Sequence, residues 1–339
     1  MPSNAPAFVT VNPSFIEPGI LLPYTQASGF LELFAGGDPL VKISPDDQYI
    51  YAKGIHLRTQ VAGGQAAYNQ LPTIETTPFQ ISTPTYLLRS NSQFDHHDIS
   101  AMGRWGVSLM EINRLGHRQG HFQLMRTAAL QGMNPANGEG LLNAQGATAL
   151  NLPPDPNGNT TASTYDNGAM AFFLSQQIAS IKSRTNNLGI GRKFSFLMPQ
   201  RIGQLFQYNV VQLTQFQRTG AGSDSTVGTL DHILSGQGDT VSWNYDDTLI
   251  GQGAGGTDMM IITMPEVAKP QGLKINTNEF AKLAPGLDAT MLIYCDRPAP
   301  TEIPVPIAFG ATSILYEMKI SSGWAVRPEA ITLLSIPFP

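Results

Sequence analysis

The chain has 339 residues, a formal net charge of −5 and 13% charged residues, where about 25% is usual for soluble domains. The acidic balance argues against a nucleic-acid reader built on a basic patch, and the lone cysteine, Cys295, excludes an intrachain disulfide and a thiolate zinc site. No window approaches roughly 18 consecutive apolar residues, so no membrane span is expected, and the opening MPSNAPAFVTVNPSF lacks the basic and apolar regions of a secretory signal.

A chain of this length buries a sizeable core and ordinarily forms more than one lobe. A surface so poor in charge points to cover by neighbouring subunits, because a lone soluble protein keeps charge for solubility.

Residues 1–48 are rich in Pro and Gly, with Phe8, Phe15, Tyr24, Phe30 and Phe34 scattered between them. Short apolar groups separated by Pro build no core, so an extended arm is expected that gains order by lying on something else. From Gln48 the pattern alternates, with Ile50, Ala52, Ile55 and Leu57 against polar neighbours. Gly63-Gly64 supplies a turn and Phe79–Leu88 a second run, which predicts a long two-stranded excursion. A two-stranded ribbon is marginal in water, so it too calls for a partner.

Asp98 to Gly132 reads as one amphipathic helix of roughly 50 Å. Asp98 and Ser100 are its candidate N-caps and Gly132 its stop. Ile99, Met102, Leu109, Met110, Leu124 and Ala128 fall on one stripe, and Gly106, Gly116 and Gly120 lie on the same stripe. Glycine there costs about 1 kcal/mol relative to alanine. The cost makes sense where another backbone packs close, and the returning C-terminal sheet is the expected neighbour. Two shorter helices broken near Gly116–Gly120 are the alternative.

A turn-rich stretch follows, with GLLN (Gly140–Asn143) as an apolar landmark. Helices are expected over Asn167–Thr185, from Pro199 through QRIGQLFQY, and over STVGTLDHILSGQ. FSFLMP (Phe194–Pro199) and DMMIITM (Asp258–Met264) read as buried strands. Helices and strands alternating over about 165–285 predict a compact α+β or α/β lobe. Strand character returns in TMLIYCD, TSILYEMKI and GWAVRPEAITLLSI.

Candidates for chemistry are sparse. The Gly251–Gly256 run leads into a strand, whereas a phosphate-binding loop must open a helix. His117 and His121 share a helix face at the spacing of a zinc pair, but Arg-Gln-Gly between them omits a metalloprotease glutamate. His96-His97-Asp98 reads as a helix start. Asp231-His232 and Asp246-Asp247 form no acid/base set by spacing. Asn159-Thr160-Thr161 matches a glycosylation acceptor, which without a signal means little. Arg104, Arg114, Arg118 and Arg126 suit a solvated face or intersubunit ion pairs better than phosphates. No catalytic, cofactor-binding or metal-binding residue is assigned, and no cofactor is expected.

The order of parts, from arm through β excursion, long helix, GLLN loop and mixed lobe to returning β segment, resembles the major capsid proteins of tailed bacteriophages with the Hong-Kong-97-type fold. FQISTPTYLLRSNSQFDHHDISAM, NGEGLLN, GAGGTDMMIITMPEV and SGWAVRPEAITLLSI carry the resemblance. They are most similar to a phage-encoded family long grouped as uncharacterised conserved proteins. The resemblance implies an α+β fold with an N-terminal arm (1–48), an extended β-loop (49–78), a peripheral domain with a spine helix over 98–132 (79–164), an axial domain (165–285) and a returning peripheral β segment (286–339). It implies a non-enzymatic subunit whose partner is itself, in pentamers and hexamers of an icosahedral virion shell made in the bacterial cytoplasm. Separate scaffolding, portal and cement proteins are further implied partners, with packaged double-stranded DNA enclosed without sequence-specific binding. Lys53 is the only lysine of the extended-loop segment and nothing identifies a partner for it, so intersubunit isopeptide chemistry is not implied. An encapsulin-like compartment shell and a hydrolase or secreted binding module are the alternatives.

Overall fold

The computed structural model describes residues 28–35, 43–44, 46–58, 75–104, 108–185, 192–208, 210–211, 224–266, 292–296, 300–307 and 311–338. In chain order its strands and helices are β1 (Tyr49–Arg58), β2 (Glu75–Phe94), α1 (His96–Gly103), α2 (Leu109–Leu130), β3 (Thr148–Asn151), α3 (Asn167–Arg184), β4 (Lys193–Met198) and α4 (Gln200–Tyr208). There follow β5 (Val210–Val211), β6 (Asp224–Ser225), α5 (Thr226–Ser235), β7 (Thr240–Tyr245), β8 (Asp258–Thr263), β9 (Ile293–Tyr294), β10 (Thr301–Pro306), β11 (Thr312–Ser321), β12 (Trp324–Ala325) and β13 (Ile331–Ile336).

Two sheets organise these elements. The first is mixed, in the order β3-β13-β8-β4-β7. Every residue of β8 and β13 is buried, which is why both read as continuous apolar runs instead of alternating ones. Helices α3 and α5 pack on each other, α3 reaching β13 and α5 reaching β7. Asp166 caps α3 by accepting from the Ala169 amide, and Lys182 and Arg184 sit in its last turn, where they complement the helix dipole. Strand β7 runs parallel to β4, with Trp243 opposite Phe196 and their rings stacked at 4.6 Å. No strand was expected at β7, although Val241, Trp243 and Tyr245 alternate with polar residues.

The second sheet has the order β1-β2-β11-β10. The 20 residues of β2 span about 65 Å at strand rise and change partner midway. Glu75–Pro84 pairs antiparallel with β1, and Thr85–Phe94 pairs antiparallel with β11. The expected excursion is therefore a ribbon anchored by continuity of one strand, and its expected turn at Gly63-Gly64 lies outside the described residues.

Three expectations need correction. The single helix over 98–132 is two helices, α1 ending at Gly103 and α2 starting at Leu109 and running unbroken through Gly116–Gly120. Asp95 caps α1 in a capping box with Asp98, so Asp98 is its third helical residue and Ser100 lies inside it. Ser108 caps α2, accepting from the Glu111 amide, and α2 alone is about 33 Å long. The stripe is also displaced. Ile99, Met110 and Leu124 are exposed, whereas His121, Met125, Ala128, Ala129 and Leu130 are buried. From Phe122 onward α2 meets the main core; its earlier turns lie on the second sheet.

The expected roles of Gly116 and Gly120 fail as well. Both are exposed, and a Cβ on either meets nothing within 4 Å; Gly106 lies outside the described residues. The close approach is at the other end of the helix, with the glycine on the partner segment. A Cβ on Gly323 would come within 2.1 Å of the Ala129 carbonyl oxygen.

Third, the arm and the returning segment do not keep to their expected units. Within 1–48, Phe30–Leu33 forms a 3-10 turn whose Phe30 and Leu33 are fully buried in this chain's own core. The Phe30 ring lies 5.4 Å from that of Phe122 on α2, and the Ala35 amide donates to Ile293. Within 286–339, β11 joins the second sheet, but β13 is inserted between β3 and β8 of the first. A strand buried on both faces fits only the sheet that is covered on both sides.

Candidate assembly interface

Three regions are each organised around a buried polar residue. NGEGLLN is the first. Gly140 adopts φ +84°, a left-handed conformation open to glycine, and a Cβ there would meet the Gly132 nitrogen at 2.3 Å. Between Gly138 and Gly140 the Glu139 carboxylate turns inward. It accepts from the Tyr86 hydroxyl at 2.8 Å, from Ser322 Oγ at 3.1 Å and from the Asn134 amide at 3.1 Å. Burial, and after it the bond to Glu139, pushes the Tyr86 phenol up to about 12. Leu141 is fully buried, and Asn143 Nδ2 donates to the Gln131 carbonyl at 2.6 Å, satisfying a carbonyl at the end of α2. One short motif thus ties β2, α2 and the segment after β11 together. A cavity of about 480 Å³ lies beside it, lined in part by Tyr49, Tyr86, Glu139 and Trp324.

Asp246 is the second. Its buried carboxylate accepts from Thr248 Oγ1 at 2.6 Å and from Ser28, and Arg126 of α2 lies 3.9 Å away. The third is Asp258, which accepts from Arg201 at 2.7 and 2.5 Å and from the Gly251 amide at 3.2 Å. The Arg201 guanidinium also lies 4.3 Å from the centre of the Phe338 ring.

The residues singled out for chemistry are dispersed and engaged in packing. In the Gly251–Gly256 run the amides of Gly251, Gly253 and Ala254 donate to Asp258, Thr257 and Ser335, which gives a tight turn into β8 and leaves no phosphate cradle. His117 Nδ1 and His121 Nε2 lie 2.6 and 3.0 Å from one hydroxyl, Ser90 Oγ. His96 and His97 lie exposed at the start of α1, their rings 3.9 Å apart. Asp231 accepts from Trp243 Nε1 at 3.1 Å, and Asp247 from the Gln200 amide that opens α4. Asn159 belongs to a loop closed on Asp155, donating from its amide and side chain. Burial pushes the Asp155 carboxyl up, but hydrogen bonds from Asn159, Asp166 and Asn157 outweigh it and leave it below the usual carboxylate range. Arg114 pairs with Glu111 and Glu302 within the chain, while Arg104 and Arg118 are exposed. Lys53 stands opposite Gln80 in the ribbon, and Cys295 is buried. Among the described residues no group of three His, Cys, Asp or Glu could hold a metal, and no helix is long and apolar enough to cross a membrane.

What the geometry does present is uncovered surface of assembly type. Glu75–Gln80 of β2 is exposed at every position, and Tyr49 and Tyr51 of β1 are each 52% exposed. On the second sheet, the face carrying Glu302, Tyr316 and Ser90 meets α2. The opposite face bears Leu87, Ile303, Val305 and Ile307, all exposed. The period-2 spacing of Ile303, Val305 and Ile307 in TEIPVPI marks one strand face, a signal present in the sequence itself. Fully burying such a side chain is worth about 1.5–3 kcal/mol, so half-covered ones retain a substantial drive to associate. Exposed apolar faces of this kind mark interaction sites.

No family model and no curated protein matches the sequence. The fold has close counterparts among solved structures. The capsid of Myoviridae phage XM1 matches with a TM-score of 0.64 at 10% identity, over 95% of this chain and 96% of that one. The capsid structure of cyanophage P-SCSP1u matches with a TM-score of 0.55 at 12% identity, over 96% and 93%. The capsid of an empty GTA particle matches with a TM-score of 0.53 at 11% identity, over 96% and 95%. The chain has the α+β fold of tailed-phage capsid subunits, the Hong-Kong-97-type fold, along nearly its whole length.

Proposed function

We propose that this chain is the major capsid protein of a tailed bacteriophage, a structural subunit of the virion with no catalytic role. Self-association into pentamers and hexamers would build an icosahedral shell around double-stranded DNA. The observation that carries the reading is the match to the XM1 capsid over 95% of the chain, joined to a ribbon exposed at every position along Glu75–Gln80. In this reading the ribbon is the extended loop, α2 is the spine, and the five-stranded sheet is the centre of the axial domain; residues 1–27 of the expected arm lie outside the described residues. Heterologous contacts that close into rings bury what the monomer leaves open. Separate portal, scaffolding and cement proteins are its proposed further partners. The net charge of −5 suits a wall that encloses DNA without holding it, since tight non-specific binding needs many phosphate contacts.

Electron microscopy of the purified full chain tests the reading. Closed shells, tubes or rings of five and six are expected. A protein that stays monomeric at high concentration, alone and with the phage's own scaffolding protein, would overturn it. A neighbouring gene for cargo enzyme in place of terminase and portal would redirect it to a cellular compartment shell.

A further inference from the structure

The contact between α2 and the second sheet has an unusual polar centre. His117 and His121 stand one turn apart on α2, and both direct a ring nitrogen at Ser90 Oγ of β2, at 2.6 and 3.0 Å. His121 is only 5% exposed, and its other nitrogen, Nδ1, is buried with no hydrogen-bond partner among the described residues. The His117 ring stacks on Tyr316 of β11 at 4.2 Å.

Ser90 has one hydroxyl hydrogen. With both imidazoles neutral it donates that hydrogen to one facing nitrogen and accepts an N–H from the other, so the hydroxyl, His117 Nδ1 and His121 Nε2 are all paired. With both imidazoles protonated, two N–H donors meet one oxygen, the serine hydrogen has no acceptor, two positive charges lie side by side, and an N–H at His121 Nδ1 is buried without a partner. We propose that this pair is a proton-sensitive latch, closing α2 onto the β2–β11 sheet when neutral and releasing the N-terminal two-thirds of the helix when protonated.

The groups facing the pair bear this out. On α2 they are Arg114 and the two histidines themselves, from β10 Glu302, from β11 Tyr316, and from β2 the neutral hydroxyl of Ser90. Arg89 and Glu317 pair with each other at 2.7 Å and lie on the opposite face of the sheet by strand alternation. Glu302 favours a charge on His117 but is already engaged by Arg114. Burial lowers both histidines, outweighing Glu302 for His117 and reinforced by His117 for His121. The closed form therefore binds fewer protons than the open form, and it loses stability as pH falls below the ordinary histidine value of 6.5. The C-terminal third of α2 is held separately, by Met125, Ala128, Ala129 and Leu130 in the main core, so opening pivots the helix and leaves the fold intact. The inference rests on one chain and does not require the shell reading.

Amide hydrogen exchange on the full chain, in the presence of EDTA and corrected for intrinsic rates, tests it between about pH 7.5 and about pH 5. Protection over 109–120 should fall at least about tenfold, while protection over 125–130 holds. His117→Gln/His121→Gln, which keeps donors and acceptors but does not titrate, should abolish the difference. Histidine NMR titration of the unaltered chain is an independent readout, in which the two imidazoles should titrate below the free value together with the loss of protection. No differential loss in the wild type, the same loss in the glutamine variant, or imidazoles titrating at or above the free value would each overturn the latch.

Discussion

Gly323 and Ala129 are in backbone contact. The Gly323 amide donates to Ala128 at 3.3 Å, and a Cβ on Gly323 would fall 2.1 Å from the Ala129 carbonyl oxygen and 2.9 Å from its carbon. The end of α2 and the segment leaving β11 are locked together at this point. Because the obstruction is helix backbone, side-chain adjustment cannot relieve it. Gly323→Ala is expected to cost about 3 kcal/mol or more, read as a fall in the midpoint of thermal or urea unfolding.

The opposite result is expected for Gly116→Ala and Gly120→Ala. Both positions are helical and open, so a methyl group meets nothing. Each substitution should stabilise the monomer by about 0.5–1 kcal/mol, measured by urea unfolding. A loss of stability at either site would mean that α2 packs differently from the arrangement seen.

Tyr86 supplies a test at high pH. Its phenol is raised from 10.0 to about 12, so the folded chain keeps a proton that the unfolded chain releases. The stability this contributes is fully present below about pH 10 and lost as pH rises toward about 12. Urea unfolding across that window should show a decline that Tyr86→Phe reduces. At neutral pH, Glu139→Gln should cost about 1–3 kcal/mol, because three donors converge on that one carboxylate.

Arg201→Ala would leave the Asp258 carboxylate, 1% exposed, without its bidentate partner. The Arg201 side chain is 39% exposed and Asp258 keeps the Gly251 amide, so a loss of about 1–3 kcal/mol is expected, part of it from uncovering Phe338. Arg201→Lys should recover only part of the loss, since an ammonium cannot form the fork.

The ribbon separates stability from assembly. Tyr49→Ser/Tyr51→Ser alters two exposed side chains and should leave monomer unfolding within about 0.5 kcal/mol of the wild type. Shell or ring formation, followed by sedimentation and electron microscopy, should fall sharply. Normal assembly by this variant would show that the tyrosine face of the ribbon is not an intersubunit surface.

Local patterns in the sequence determined a good deal. β4, β8 and β11 were legible because their apolar runs are short and bounded, and α3 and α5 because their spacing is helical. The stop of α2 was legible because Gly132 has the left-handed backbone (φ +82°) that glycine supplies. Other features depend on partners distant in the chain. Phe30 looks like an arm residue until the sheet and Phe122 enclose it, and β13 resembles β11 locally although the two belong to different sheets. Helical periodicity alone could not show that the buried positions of α2 begin only at His121, or that the close-packing glycine is Gly323 and not Gly116 or Gly120. The polar centres at Glu139, Asp246, Asp258 and Ser90 join residues separated by up to 218 positions. Their roles follow from the desolvation of particular side chains against particular donors, and only the folded chain brings those groups together.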